Sequence, residues 1–141
     1  MKVGFTGTQE GMTIPQRRSF MRQMRRLKAR KELNEFHHGD CVGADSDADH
    51  IVRLVSPRAK IHIHPPEKDF KRAHTFIEGD TMYPAKPYLD RNHDIVDAVD
   101  ILFATPKTNG EVIRSGTWAT IRYARKQGKK VVLIRPDGTI A

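Results

Sequence analysis

Two hydrophobic periods take turns along this chain, and that alternation limits the folds open to it more than any other feature. Val3–Thr6, Glu35–His38, Lys60–His64, Asp100–Ala104 and Lys130–Ile134 are short apolar runs of strand length. Between them lie segments of helical spacing: about Ile14–Leu33, Ala44–Val55, Leu89–Val99, and Gly116-Thr117 to about Gln127. Pro15 fits the first turn of the first helix, and Gly128 stops the last one. Strands joined by helices of several turns require crossover connections, which are right-handed and place the strands parallel. The expected class is therefore α/β: a mostly parallel sheet of about five strands with helices on both faces. Two polar stretches interrupt the pattern, Pro65–Pro87 and Thr105–Ser115. The first is long for a connection inside a compact domain, which marks it as either functional or disordered, and it is expected to shape the base pocket above the sheet edge. No repeat, linker or boundary divides residues 1–141, so one domain is expected.

At 38% hydrophobic and 30% charged residues, with mean hydropathy -0.61, the chain has no run near the ~20 apolar residues a bilayer helix requires. Met1-Lys2-Val3-Gly4-Phe5 is too short and too soon broken by glycine for a signal peptide, and the lone Cys41 cannot form an internal disulfide. A soluble protein of the reducing cytoplasm is expected. The net charge of +8 is concentrated in one place. Arg17, Arg18, Arg22, Arg25, Arg26, Lys28, Arg30 and Lys31 fall in a segment without an acid, and the remaining 17 basic residues balance the 17 acidic ones. Phe20, Met24 and Leu27 give that helix a narrow apolar stripe and turn Arg18, Arg22, Arg25 and Arg26 outward. Such a face suits solvent, a dimer contact, or the phosphates of a nucleic acid.

Glycine-bearing loops follow three of the strands: Gly4-Phe5-Thr6-Gly7-Thr8-Gln9, His38-Gly39-Asp40-Cys41-Val42-Gly43-Ala44-Asp45, and Thr105-Pro106-Lys107 through Arg114-Ser115-Gly116-Thr117-Trp118. Open parallel sheets bind ligands at the carboxyl ends of their strands, and amides freed at a helix start favour a phosphate. Neither the GxGxxG nor the GxxxxGK[ST] spacing is present, which disfavours NAD-linked redox chemistry and P-loop hydrolysis.

The run His38 to Asp45 with Asp49-His50 resembles the glycine-rich SGxAxGxDxxAH segment of DNA-processing protein A. Arg114-Ser115-Gly116-Thr117-Trp118-Ala119-Thr120 through Gly128-Lys129-Lys130-Val131 is similar to the GSGSLxTAxxAxxxGRxV of the same family. Arg91-Asn92-His93, Val99-Asp100-Ile101 and Gly116-Thr117 also resemble the lonely-guy phosphoribohydrolases. These families belong to the SLOG superfamily of Rossmann-like domains that bind nucleotides or their derivatives, and the likeness runs from Gly4 to Val132. It implies strand order 3-2-1-4-5, a switch point between the first and fourth strands, and a homodimer. The departure is equally specific. Where lonely-guy enzymes carry PGGxGTxxE, this chain has Asn109 to Ser115 before Gly116-Thr117, and Ala119 and Thr120 where the glutamate belongs. Neither can move a proton in a glycosidic cleavage.

Three functions are compatible with these features. The first is binding of a nucleotide or nucleotide derivative, as sensor or carrier. The second is N-glycosidic hydrolysis of a nucleoside phosphate with a substitute carboxylate, Glu111 first and Asp45 second. The third is single-stranded DNA binding like that of DNA-processing protein A, through the Arg17–Lys31 helix. Phosphate is expected at Gly116-Thr117 with Ser115, and near Gly7, Thr8 and Gly43. Arg91 and Arg114, with Lys107 third, are the cations placed near it, because a guanidinium holds two phosphate oxygens at once. Trp118 is the candidate for stacking on a base, with packing as its alternative role; Tyr123 reads as packing. Asp90 and Asp94 read as an ion-paired helix face. His62 and His64 share one side of a strand with His37 on a neighbour, but spacing of two arises readily by chance. No metal site and no cofactor are expected, and Cys41, with only His38 beside it, is not expected to act as a nucleophile.

Overall fold

A computed structural model describes all 141 residues. In chain order the elements are β1 (Lys2–Gly7), α1 (Ile14–Ala29), β2 (Glu35–His38), α2 (Ala44–Val55), β3 (Lys60–Ile63), β4 (Thr81–Met82), α3 (Tyr88–Ala98), β5 (Ile101–Thr105), α4 (Gly116–Lys126) and β6 (Lys130–Leu133). The six strands form one all-parallel sheet in the order β4-β3-β2-β1-β5-β6. This is the Rossmann-like three-layer arrangement, and its order over the five longer strands is the one the resemblance implied. The sixth strand is the addition.

Strand alternation decides what each helix covers. Val3, Phe5, Phe36, Ile61, Ile63 and Phe103 point to one face and meet Phe20, Met24 and Leu27 of α1 and Ala44, Ala48 and Val52 of α2 in the main core. Phe20 packs edge-on against both Phe5 and Phe103, with ring centroids 5.3 and 6.0 Å apart. On the opposite face α3 and α4 close over the β1, β5 and β6 half of the sheet. Val96, Leu102 and Ala124 form one small cluster there, and Ala104, Trp118, Ile121 and Leu133 another. The β2 and β3 half of that face carries Glu35, His37, His62, His64 and Tyr83 instead.

α1 begins at a capping box, Thr13 with Gln16, and stops at Ala29 rather than at Leu33. Glu32 N–H donates to Leu27 O and Lys31 N–H to Lys28 O, both at 2.9 Å, with Lys31 at φ 59°. This is a Schellman end with lysine where glycine is usual, so the sequence carries no stop signal there. Gln16 also reaches across the fold: its Nε2 donates to Pro106 O at 2.8 Å and Ile134 O at 3.1 Å, fixing the start of the loop after β5.

The Pro65–Pro87 stretch differs from the expected irregular insertion. It carries a single 3-10 turn, Asp69–Lys71, and then β4, which joins the sheet beside β3. Part-buried ion pairs hold it. Arg53 of α2 bridges Asp49 (2.7 Å) and Asp80 (2.6 Å), Asp49 accepts from His38 (2.8 Å), and Asp40 takes Arg72 Nε (3.2 Å) and both the amide and hydroxyl of Thr75.

Candidate functional site

The loops after β1 and β5 face each other across the switch point and enclose a cleft of about 480 Å³ at the carboxyl rim of the sheet. One wall is Gly7, Thr8, Gln9 and Glu10. The other is Lys107, Thr108, Val112 and Arg114 through Thr117, and Tyr88 closes the floor. None of residues 65–87 lines it, so the pocket-shaping role expected of that stretch falls to Tyr88, the first residue of α3.

α4 starts at this wall. Ser115 is its N-cap, and its Oγ accepts from Trp118 N–H at 3.2 Å. Gly116 and Thr117 occupy the first turn, where backbone amides have no intrahelical acceptor, and both residues line the cleft. Arg114 lies immediately before the Ser115 cap, exposed, and no carboxylate forms an ion pair with it. Lys107 stands on the same rim, 3.5 Å from Glu10. Gly116 leaves room for Tyr88: a Cβ there would run into the Tyr88 hydroxyl and ring, which would have to move.

Behind Tyr88 is a recess of about 20 Å³, room for one water, lined by Thr6, Gly39, Cys41, Asp45, Arg91 and Asn92 among others. Arg91 is 3% exposed. It donates to Gly39 O, to His64 O at 3.1 Å and to Cys41 Sγ at 3.5 Å, and its guanidinium lies 5.5 Å from the Tyr88 ring centroid. Its Nε is buried without an acceptor. Burial raises the Asp45 carboxyl above its ordinary range, against the pull of His38 and Arg91, while its Oδ2 accepts Cys41 N–H at 3.1 Å. Burial likewise pushes the Cys41 thiol up, so it is a protonated structural group.

The expected site residues therefore separate. Gly7, Thr8, Lys107, Arg114, Ser115, Gly116 and Thr117 meet around the cleft. The Thr8 amide, however, is spent on Thr105 O at 3.2 Å. Gly43 lies outside the cleft, and its job is to let the β2 loop pass the β1 loop. Its φ is +92°, and a Cβ would clash with the Gln9 backbone. Arg91 and Asp45 sit in the inner recess rather than at the rim. Glu111 turns away from the cleft, with Oε2 accepting from Arg122 Nη1 of α4 at 2.7 Å. Trp118 is 4% exposed, packed with Ala104, Ile121 and Leu133, and its indole N–H donates to Thr108 Oγ1 at 3.1 Å. It is a packing residue here. The aromatic ring that does reach the cleft is Tyr88, which sequence reasoning passed over; its signal was an aromatic placed directly after Pro87 at a helix start. Glu10, also passed over, is the one carboxylate on the cleft lining.

No family model matches the chain, and no curated protein matches it in sequence. Solved structures that share the fold include the following two. The X-ray structure of TM1055, a structural-genomics target, superposes with a TM-score of 0.66 at 19% identity, covering 98% of this chain and 76% of that one. The molybdenum cofactor binding protein from the phototrophic bacterium Rippkaea orientalis superposes with a TM-score of 0.69 at 18% identity, covering 96% and 77%. Both are Rossmann-like, the class that the resemblance to the SLOG superfamily implied. No helix is long and apolar enough to cross a membrane.

Proposed function

We infer that this protein binds a nucleotide or nucleotide-derived small molecule in the cleft between the β1 and β5 loops, as a sensor or carrier. The observation that carries this reading is Arg114, a cation without an ion-pair partner, placed beside the acceptorless amides of Gly116 and Thr117. A phosphate there would gain a bidentate guanidinium contact and the positive end of α4 together. The Tyr88 ring offers the stacking surface first assigned to Trp118. Binding is favoured over N-glycosidic turnover because Glu111 is tied to Arg122, Asp45 is enclosed, and Glu10 is exposed and paired with Lys107.

The test is a thermal-shift panel of mononucleotides, dinucleotides and, because one structural neighbour is named for it, molybdenum cofactor. A true ligand at 100 times its Kd stabilises by about 2.7 kcal/mol. Arg114→Ala and Thr117→Ala should each weaken binding, Arg114→Ala by at least about tenfold, since a charge-assisted hydrogen bond contributes about 1.5–3 kcal/mol. A panel without a hit, or hits indifferent to both substitutions, overturns the reading.

A second reading has its own support. Arg18, Arg22, Arg25 and Arg26 are all exposed, and of the Arg17–Lys31 segment only Arg17 meets an acid, Asp47 at 3.3 Å. That bare face suits a polyanion such as single-stranded DNA.

A further inference from the structure

β2 and β3 are paired in parallel with His37 opposite His62, so Glu35, His37 and His62 emerge on one face of the sheet. This is the half-face that α3 and α4 leave uncovered. His37 Nε2 lies 2.9 Å and His62 Nε2 3.4 Å from the same oxygen, Glu35 Oε1, and the three ligand atoms lie within 4.8 Å of one another. The opposite nitrogen of each ring is held as well. His37 Nδ1 is 2.9 Å from His64 Nε2, and His62 Nδ1 is 2.9 Å from the Tyr83 hydroxyl. The His64 and Tyr83 rings stack on each other with centroids 4.2 Å apart, which fixes both outer partners.

We propose that Glu35, His37 and His62 form a binding site for a zinc-class divalent cation, with His64 and Tyr83 orienting the two imidazoles. The donor set, two imidazoles and a carboxylate, suits zinc and its first-row neighbours and is a poor match for magnesium or calcium. One ring nitrogen of each histidine lies near Glu35 Oε1 and the other is hydrogen-bonded outward, the second feature being how metal-bound histidines are generally oriented. Without a cation, His37 Nε2–H donates to the Glu35 carboxylate, and His62 Nε2 lies 3.4 Å from the same oxygen. With one, the Nε2 lone pairs are needed, and each proton sits on Nδ1, donated to His64 Nε2 or to the Tyr83 oxygen. Both tautomers are satisfied by the same neighbours.

The His37 and His62 rings stack at 4.2 Å with an interplanar angle of 15°, so His62 must tilt out of the stack for both in-plane lone pairs to meet one ion. The nitrogens are then about 3.3 Å apart, the separation of two nitrogens bound tetrahedrally to zinc at about 2.05 Å. His62 and Glu35, with side chains 16% and 28% exposed, have room for that movement, whereas His37 at 2% is the fixed post. The same partial exposure provides the entry path and leaves a fourth position for water. None of the three ligands lines the cleft, so this site stands independently of the nucleotide reading.

The experiment is a titration of the untagged, chelator-stripped chain with Co²⁺ and then Zn²⁺, followed by visible absorption and by Tm. One saturable equivalent of Co²⁺ with d–d bands of low-symmetry four- or five-coordination, displaced by Zn²⁺ and accompanied by a rise in Tm, is expected. His62→Ala and Glu35→Gln should each weaken binding by more than about tenfold, and Tyr83→Phe by about tenfold through the loss of an orienting partner. Tm in chelator separates loss of a ligand from loss of the fold; should His62→Ala not fold, the more exposed Glu35→Gln decides. Absence of saturable binding, or binding that survives Glu35→Gln and His62→Ala because it resides at the exposed His50, His74 or His93, overturns the proposal.

Discussion

Gly116 and Tyr88 compete for the same few ångströms, and that contact sets the shape of the site. Gly116→Ala should force Tyr88 out of its place at an overpacking cost of about 1–3 kcal/mol. Adding Tyr88→Ala should recover part of the loss, which a double-mutant cycle by denaturant unfolding would read as coupling. Asp45 gives a pH signature. Its folded pKa lies above the unfolded value of about 3.9, so between the two the native state keeps a proton that the unfolded chain has shed. Stability from this group is therefore lost as pH rises through that window. Asp45→Asn, which preserves an acceptor for Cys41 N–H, should gain on the wild type as pH climbs from about 4 toward neutrality. Parallel unfolding curves at every pH would show that the burial of this carboxyl is not what the structure indicates.

At the scale of elements, the two departures from the expected pattern have separate causes. α1 ends at a left-handed lysine, a conformation that costs a non-glycine residue about 1 kcal/mol or more. Lys31→Gly should therefore stabilise the protein by about 0.5–1 kcal/mol, a rise of about 3 °C in Tm for a chain of this size. β4 exists because α2 holds it. Two strand residues alone bury little, but Asp80 accepts from Arg53 at 2.6 Å and from the Ile77 amide at 2.8 Å. Asp80→Ala should cost about 2 kcal/mol and speed amide exchange at Tyr83, whose N–H donates to Ile63 O, while leaving β1 and β5 protected. Uniform acceleration across the sheet would mean that β4 is part of the cooperative core rather than a strapped edge.

Over the whole molecule, the charge asymmetry is the property with the widest reach. If α1 binds single-stranded DNA, replacing Arg18, Arg22, Arg25 and Arg26 by glutamine should remove the affinity and flatten its dependence on salt, with ligand binding in the cleft unchanged. The alternating periods were enough to determine the layered α/β class, the boundaries of most strands, the apolar faces of the helices and the three glycine loops, because strand and helix repeats are local properties of the chain. The positions of the charged residues likewise placed the entire excess charge in the Arg17–Lys31 segment, six of whose eight basic residues lie in α1. Which residues meet across the rim was decided only by tertiary structure. Sequence spacing could not show that Arg91 would be drawn beneath the site by Gly39 and His64, that Arg122 would turn Glu111 away, or that Trp118 would be needed to pack under β5 and β6. Nor could it show that Glu35 would complete a cluster with His37 and His62, since that depends on the register of two strands separated by a helix. Contacts of this kind depend on how crossovers close, and no single segment encodes that closure.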